Sequence, residues 1–457
     1  MRRNPRGFFS RLMGATQRLL AAVLAASLCA APAGGADLLE VYRQAQTADA
    51  QYAAARATWL ATQEKLPQGR SGLLPSITLS GSTQYNDRDT SVRSPTVAGS
   101  SARFNSNTLS LSLTQPVYRR QNRVAYEQAK TQVEQATAVL AQAEQDLTTR
   151  VAQAYVDVLL ARDNVAFAGA QKTAIAEQLT QAKISFQVGT ATITDTHEAQ
   201  ARFDFSVSQE ISTQNDAEIK RRTLELLIGK STPTLAPLGA LQLIMPEPAV
   251  LETWVDEART ANPQVRAAEI SVTLAQQEVM RNRSAHYPTL DAVAGYTKNA
   301  TGVGASGGPG TDIDSSNIGL QLSVPIYQGG LVTSRVREAA ANVSKARQDH
   351  EAARRNAELV ARQSYLGVTN GIAQVKALQA ALTSSQSSLD STRLGREVGV
   401  RTQVDVLNAQ QQLFSARRDL AQAKYNYIMS TLKLKAAVGR LTEKDIVAVN
   451  AWLDHTK

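Results

Sequence analysis

The sequence contains a helix-compatible run far longer than the helices of an ordinary globular domain. The run extends from Gln121 to Phe186 without proline and with Gly169 as its only glycine. It is rich in Ala, Gln, Glu, Leu and Val, which are favourable or neutral in helices. At about 1.5 Å per residue, one helix through the run would be about 100 Å long. Because globular helices average about 11–12 residues, the run predicts a rod.

Apolar residues in this run recur at alternating spacings of three and four, which is the pattern of a coiled-coil seam. The seam consists of Val151, Ala154, Val158, Ala161, Val165 and Ala168, followed by Ile175, Leu179, Ala182 and Phe186. Its alanines would let neighbouring helices approach closely. Taken alone, the run is also compatible with a generic coiled coil.

The chain contains an internal duplication. Four landmarks recur in the same order at spacings between 209 and 213 residues. Such a constant period indicates two structural repeats. The pairs are Leu74-Pro75 with Tyr287-Pro288, Gln115-Pro116-Val117-Tyr118 with Val324-Pro325-Ile326-Tyr327, Val188-Gly189-Thr190 with Val398-Gly399-Val400, and Gly229 with Gly439.

These landmarks divide the chain into five segments. We predict a signal peptide at 1–36, a first repeat at 37–229, a Pro-rich linker or equatorial segment at 230–250, a second repeat at 251–439, and a C-terminal tail at 440–457. Each repeat is expected to hold a helix, a β-hairpin, a long helix, a Val-Gly turn and a shorter returning helix.

The first 36 residues have the features of a secretory signal: five arginines, a short apolar core and small residues before Asp37. A lipid on Cys29, the only cysteine, is the alternative, although Leu28 is larger than the residue expected before a lipidated cysteine. Since this segment carries no acid, the net charge falls from +9 to +4 without it. The basic composition is therefore weak evidence for nucleic-acid binding, and we expect no nucleic-acid partner.

Period-2 patterns predict two β-hairpins. In the first, Ile77 to Tyr85 and Leu109 to Leu113 alternate with small polar residues around a polar loop at 86–105. In the second, the strands begin near Leu290 and Ile318, around a glycine-rich loop at 301–311, and the last strand continues to Ile326. Strands of about 10 residues can cross a bilayer when tilted. A soluble pair of hairpins is the alternative.

Four strands cannot close a barrel, and an open edge is not tolerated in lipid. A cyclic trimer would supply twelve strands. The predicted fold is therefore mainly α with a membrane β part, internally duplicated. Its trimeric twelve-stranded β-barrel, with four strands per chain, would contact membrane lipid and would be continued by a long α-helical coiled-coil barrel.

Catalytic chemistry finds no support in the sequence. The histidines at 197, 286, 350 and 455 lack metal-ligand spacing, and no Walker A, Rossmann or GxSxG motif is present. We expect no enzyme activity, no cofactor and no metal.

The duplicated order of elements resembles the TolC family of outer-membrane channel proteins across nearly the whole chain after residue 36. The most specific stretch runs from Gly399 to Asn408, followed by Tyr425-Asn426-Tyr427. It resembles the periplasmic entrance of the family, where aspartates ring the closed pore and an arginine bridges to a neighbouring coiled coil.

The resemblance implies site residues at both turns. Asp405 and Arg401 match the pore aspartate and the bridging arginine, and Asp195 matches the acidic partner on the other coiled coil. Asn408 stands where many members carry a second aspartate, and Arg396 stands where some carry tyrosine. By resemblance, the turns are also the adaptor docking points: Val188, Gly189, Thr190, Val398, Gly399 and Val400. An acid in the first turn of a helix is also favoured by the helix dipole, which is the structural alternative for Asp195 and Asp405.

Two functions remain at this stage. The first is a homotrimeric outer-membrane exit duct of a tripartite efflux or type I secretion system, with its β-barrel in contact with outer-membrane lipid and its helices extending into the periplasm. It would be served by a periplasmic adaptor protein and an inner-membrane pump of the RND, ABC or MFS type. The second is a soluble periplasmic coiled-coil adaptor or scaffold.

Overall fold

The computed structural model describes residues 36–93, 96, 99–232, 234–303 and 308–454. The predicted signal peptide lies outside these residues except for Ala36, as do Pro233 and His455. Within the described ranges, no helix is both long and apolar enough to span a bilayer. The same ranges hold no group of three or more His, Cys, Asp or Glu residues arranged to bind a metal ion.

The two repeats follow the same order of elements. The first contains α1 Leu38–Ala48, α2 Ala50–Gln63, α3 Lys65–Ser71, β1 Ser76–Thr90, β2 Ser100–Tyr118, α4 Arg120–Gln187 and α5 Ile193–Ile228. The second contains α6 Leu251–Ala261, α7 Pro263–Arg283, β3 Thr289–Thr301, β4 Thr311–Ser323, α8 Leu331–Glu397 and α9 Gln403–Ala437, and it is followed by α10 Glu443–Asn450. A short 3-10 turn, Ser284–His286, joins α7 to β3.

The long helices match the expected rods. Helix α4 has 68 residues and α8 has 67, so each is about 100 Å long. Capping residues mark the junctions α1–α2 and α6–α7. Asp49 ends α1 and caps α2 by accepting a hydrogen bond from the Tyr52 amide at 2.6 Å. Asn262 caps α7, and Pro263 occupies its first turn, where a missing amide hydrogen costs nothing.

The described strands form one antiparallel sheet in the order β1-β2-β3-β4. Consecutive strands pair along the whole sheet, and the central β2–β3 pairing joins the two repeats. Strands β1 and β4 are its two edges. Three such sheets, one from each chain of the predicted trimer, would supply its twelve strands.

The two faces of the sheet differ in chemistry. The apolar face includes Ile318, Leu320 and Leu322, whose side chains are 89%, 70% and 65% exposed in the single chain. Such exposure is expected of a surface whose natural contact is lipid. The opposite face carries serine, threonine, asparagine and glutamine, and in places these bond across strands, as Ser110 does with Thr297 at 2.9 Å.

The strands are longer than the sequence reasoning allowed. The predicted loop at 86–105 is mostly strand, because β1 continues to Thr90 and β2 begins at Ser100. Polar side chains that argued for a loop pair across this extension, as in the 3.0 Å ion pair between Arg103 and Asp87. The prediction was also wrong at the end of β4, which stops at Ser323 rather than Ile326. Pro325 has no amide hydrogen with which to continue the ladder.

An ion pair clamps the junction between sheet and rods. The Arg119 guanidinium, one residue before α4, donates two hydrogen bonds to Asp291 of β3, at 2.8 and 2.6 Å. Asp291 is 7% exposed. The bond joins the end of the first hairpin to the start of the second, and its paired N–H donors fix the relative orientation of both groups.

The segment between the repeats packs with the C-terminal tail, which the sequence reasoning left without structure. Helix α10 lies in this tail and contacts α1. Asn450 accepts a hydrogen bond from the Leu38 amide at 2.9 Å and donates one to Asp37 at 2.6 Å. Gly239 of the linker donates to the Trp452 carbonyl at 2.8 Å. The start of the first repeat and the linker are thereby both bound to the described part of the C-terminal tail.

One large core joins both repeats, and it covers only part of the rods. It takes in α4 between Leu147 and Leu159, α8 between Ala357 and Ile372, and α9 from Tyr425 onward. Closer to the turns, the α4–α5 hairpin and the α8–α9 hairpin have separate small cores. Near the boundary, the Tyr425 hydroxyl donates to the Asp163 carboxylate at 2.8 Å, and burial raises the pKa of Asp163.

Candidate functional site at the hairpin turns

The two helical turns have the same backbone geometry. Gly189 and Gly399 both have φ of +79°, a conformation that glycine adopts without steric cost. In the first turn the Thr190 amide donates to the Ser185 carbonyl at 2.8 Å, and in the second the Val400 amide donates to the Gly395 carbonyl at 2.9 Å. These bonds satisfy carbonyls at the ends of the long helices, so each rod reverses within a few residues.

Each returning helix starts with a capping box. The Thr192 hydroxyl accepts a hydrogen bond from the Asp195 amide at 3.2 Å, while Asp195 accepts from the Thr192 amide at 3.0 Å. Thr402 and Asp405 repeat this arrangement at 3.2 and 2.9 Å. Both aspartates therefore stabilise a helix start. This helix-capping role is the structural alternative named above, and it uses only the Oδ2 atom of each carboxylate.

The Asp405 carboxylate is held in its charged form. The hydrogen bonds donated by the Thr402 amide and hydroxyl, together with the nearby positive charge of Arg401, lower the pKa of Asp405 below its ordinary value. Asp405 is therefore ionised at neutral pH. Three copies related by the threefold axis would place three negative charges at one level of the tunnel.

Arg401 lies in the turn between α8 and α9, directly before the capping residue Thr402. Its Cγ atom would be 2.8 Å from a Cβ atom at position 395, so Gly395 provides the space for the arginine stem. Among the described residues of one chain, the Arg401 side chain has no ion-pair or hydrogen-bond partner, and Asp195 bonds instead to Thr192. The predicted link between Arg401 and Asp195 is thus not formed within a chain, and it remains a prediction for neighbouring chains.

A different arginine joins the two hairpins of one chain. Arg202 on α5 donates to Asn408 on α9 at 3.0 Å and to Gln411 at 3.4 Å, and it also pairs with Glu198 at 3.0 Å. Sequence reasoning missed this contact because the coiled-coil pattern does not specify which polar faces of two hairpins meet. Asn408 is thus a hydrogen-bond acceptor between hairpins.

Arg396 makes a second contact between hairpins. It donates to Gln403 at 2.7 Å and to Gln178 of α4 at 3.4 Å, and Gln403 also donates to Gln178. The arginine thus takes part in a polar cluster beside the turn, at the position where some family members carry tyrosine.

The outermost residues of the turns are apolar and exposed. Val188, Val398 and Val400 are 68%, 66% and 76% exposed. A Cβ atom added at Gly189 or Gly399 would meet nothing within 4 Å. The turns therefore present uncovered valines around an open glycine, which suits contact with another protein.

A four-stranded sheet with two open edges, an apolar sheet face and two rods of about 100 Å define the subunit of a trimeric membrane channel with a helical tunnel. The family model described as outer membrane efflux protein matches residues 37–230 and 254–440. The chain belongs to this family.

Curated relatives match over nearly the full length. Outer membrane protein TolC of Vibrio cholerae is 33% identical over 423 residues, covering 92% of this chain and 94% of that protein. The proteases secretion protein PrtF of Dickeya chrysanthemi is 31% identical over 441 residues, covering 95% and 94%. The crystal structure of the Campylobacter jejuni CmeC outer membrane channel shares the fold with a TM-score of 0.77 at 18% identity, covering 91% and 90%.

These findings confirm the predicted family, the fold class and the outer-membrane location extending into the periplasm. The chain is a channel protein and not an enzyme. TolC-like channels are homotrimers that work with adaptor and inner-membrane pump proteins. The comparisons exclude the two alternatives of a soluble periplasmic scaffold and a soluble pair of hairpins.

Proposed function

We propose that this chain is the exit duct of a tripartite efflux or type I secretion system, gated at its periplasmic turns. Substrate would pass from an inner-membrane pump of the RND, ABC or MFS type through a periplasmic adaptor and out through the barrel. The observation that carries the proposal is the pair of matching turns, each with an exposed valine beside a glycine at φ +79°. Relatives named for protease secretion and for efflux support both kinds of cargo.

Export in a cell that lacks its own exit duct tests this function. The chain should restore export of a pump substrate, and a photocrosslinker at Val400 should capture a periplasmic adaptor, whereas one at Val447 of α10, 49% exposed, should not. Trimers that reach the outer membrane without restoring export through any tested pump would contradict the proposal.

The gate is proposed to lie at Arg401, Asp405, Asn408 and Asp195. Contacts such as that between Arg202 and Asn408 oppose separation of the two hairpins of one chain. A contact of Arg401 with Asp195 of the next chain would oppose separation between chains. Because each contact is exposed and weak, several must break together for the mouth to open, and the closed state is favoured without being locked.

Arg401→Ser is expected to raise single-channel conductance in planar bilayers by about twofold to fivefold. Loss of an exposed ion pair shifts the equilibrium between the closed and the open mouth by roughly a factor of that size. The matched control is Arg418→Ser, which removes an exposed arginine from α9 whose partners, Asp419 at 3.4 Å and Ser415 at 3.3 Å, lie on the same helix. Equal conductance of the Arg401 variant and the parent would place the constriction elsewhere.

A further inference from the structure

The polar face of the sheet is almost free of charge. In the ladder register, Thr78, Ser112, Gly295 and Asn317 lie on this face, and the alternate positions of each strand share it. On the described strands, its charged residues are Arg88 and Asp291. Because the apolar face contacts lipid, this polar face lines the water-filled lumen.

The two charges lie at opposite ends of the barrel. Asp291 is near the start of β3, beside the rods, where the paired hydrogen bonds from Arg119 neutralise it. Arg88 is two residues from the end of β1, at the end of the hairpins away from the rods. Since the rods extend into the periplasm, Arg88 lies in the outer mouth of the lumen.

Its neighbours hold Arg88 in place. The guanidinium carbon lies 5.3 Å from the centre of the Phe104 ring, within cation–π distance. Residue 102, which pairs with Arg88 across the ladder, is alanine, so the neighbouring strand leaves room for the long side chain. Phe104 is 6% exposed. A Cβ atom at Gly302, the residue after β3, would lie 3.5 Å from the Phe104 Cβ atom, so the backbone there passes close to Phe104.

Nearby acids lie on the other face of the sheet. Asp87 and Asp89 flank Arg88, and successive residues of a strand point to opposite faces. Asp87 pairs with Arg103 at 3.0 Å on the outward face. Asp314 lies 4.0 Å from Lys298 on the outward face. Asp312, two residues before Asp314 on β4, shares that face. These acids, together with Arg103 and Lys298, thus lie on the outward face, whereas Arg88 lies on the inward face.

We propose that the three Arg88 side chains of the trimer form a ring inside the outer mouth that binds multivalent anions. Twelve strands about 4.8 Å apart and tilted by about 40° give a backbone radius of about 12 Å. That radius is close to the screening length of about 10 Å in 0.1 M salt. The fields of the three guanidinium groups therefore overlap across the lumen, and arginine is well suited to phosphate and carboxylate groups.

This proposal depends on the proposed function as a trimeric channel. It adds a preference for anions at the outer mouth to the proposed gate at the periplasmic mouth. Asp405 would favour cations at the periplasmic mouth, whereas Arg88 favours anions at the outer mouth. The ring attracts anionic groups on departing cargo, and external polyanions compete for the same position.

Block by tripolyphosphate in planar bilayers tests the ring. The anion is added in 0.1 M KCl to the chamber that faces the hairpin loops, and the half-blocking concentration is measured. The parent channel should be blocked, and Arg88→Gln should raise the half-blocking concentration at least about tenfold, since three charges are lost from one ring. Arg88→Lys should retain most of the block. Arg103→Gln, the matched control on the outward face of the neighbouring strand, should leave it unchanged.

Salt provides a second readout. In 1 M KCl the screening length falls to about 3 Å, and block of the parent should weaken to the level of Arg88→Gln. An unblocked parent, equal block of Arg88→Gln and the parent, or an equal loss in Arg103→Gln would overturn the ring. Channel currents and export are recorded separately, so failure of the ring is distinguishable from failure of the duct function. If Arg88→Gln forms no channels, the parent and Arg88→Lys decide the question.

Discussion

Replacing Gly399 by valine is expected to reduce export about 5- to 30-fold while the trimer remains in the outer membrane. A residue with a side chain at positive φ costs roughly 1–2 kcal/mol, and β-branched residues fit this region worst. Position 399 has φ of +79° and open space around it, so the damage comes from the backbone rather than from a clash. The turn would lose the hydrogen bonds that the Val400 and Arg401 amides donate to the Gly395 carbonyl.

Two control variants separate the causes. Gly399→Asn should keep most of the export, because asparagine tolerates positive φ better than other side chains. Gly319→Val makes the same substitution on the exposed strand β4, where a Cβ atom also meets nothing within 4 Å and φ is not positive. It should be nearly silent. Export by a well-expressed Gly399→Val variant at the parent level would argue against docking at this turn.

Asp405→Asn is expected to abolish most of the block by multivalent cations added to the periplasmic side, with at least about a tenfold rise in half-blocking concentration. Three carboxylates around one axis produce a negative potential that attracts cations. Asparagine is the informative substitution, because its side-chain oxygen can still accept the hydrogen bonds from Thr402. It removes the charge and retains the helix cap, whereas alanine would remove both.

Asp195→Asn is the matched control, since Asp195 occupies the same capping box in the other hairpin. It should leave cation block unchanged. If Asp195 is the partner of Arg401 in the neighbouring chain, this variant should raise conductance, as Arg401→Ser does. Equal loss of cation block in both aspartate variants would mean that Asp405 has no special place on the axis.

Long-range periodicity and duplication made the architecture predictable. A run without proline, a repeat near 210 residues and a period-2 pattern do not depend on distant contacts. The ends of the strands were harder to predict from the sequence. Asn86 and Asp87 look like loop residues in sequence, but Asn86 donates to Ser106 at 2.9 Å and Asp87 pairs with Arg103. Cross-strand pairing outweighed local propensity there.

The polar contacts between hairpins could not be obtained from the sequence. Arg202 and Asn408 are 206 residues apart, and each is an ordinary polar residue of a coiled-coil surface. Their contact depends on the rotation of two helices about their own axes, which apolar spacing specifies only roughly. Arg88 was overlooked for a related reason, because the prediction ended its strand at Tyr85 and so gave the arginine no defined face.

The extent of the core shared by the two repeats determines which part of the helices can move. Between Leu147 and Leu159, α4 is packed into the same core as α8 and α9, so the two hairpins behave there as one stiff body. Beyond Asp163 and Tyr425 each hairpin has its own small core. We expect each hairpin to bend near the hydrogen bond between the Tyr425 hydroxyl and the Asp163 carboxylate. A displacement of the turns is therefore absorbed before it reaches the sheet. We expect the bore of the barrel to stay constant while the periplasmic mouth dilates.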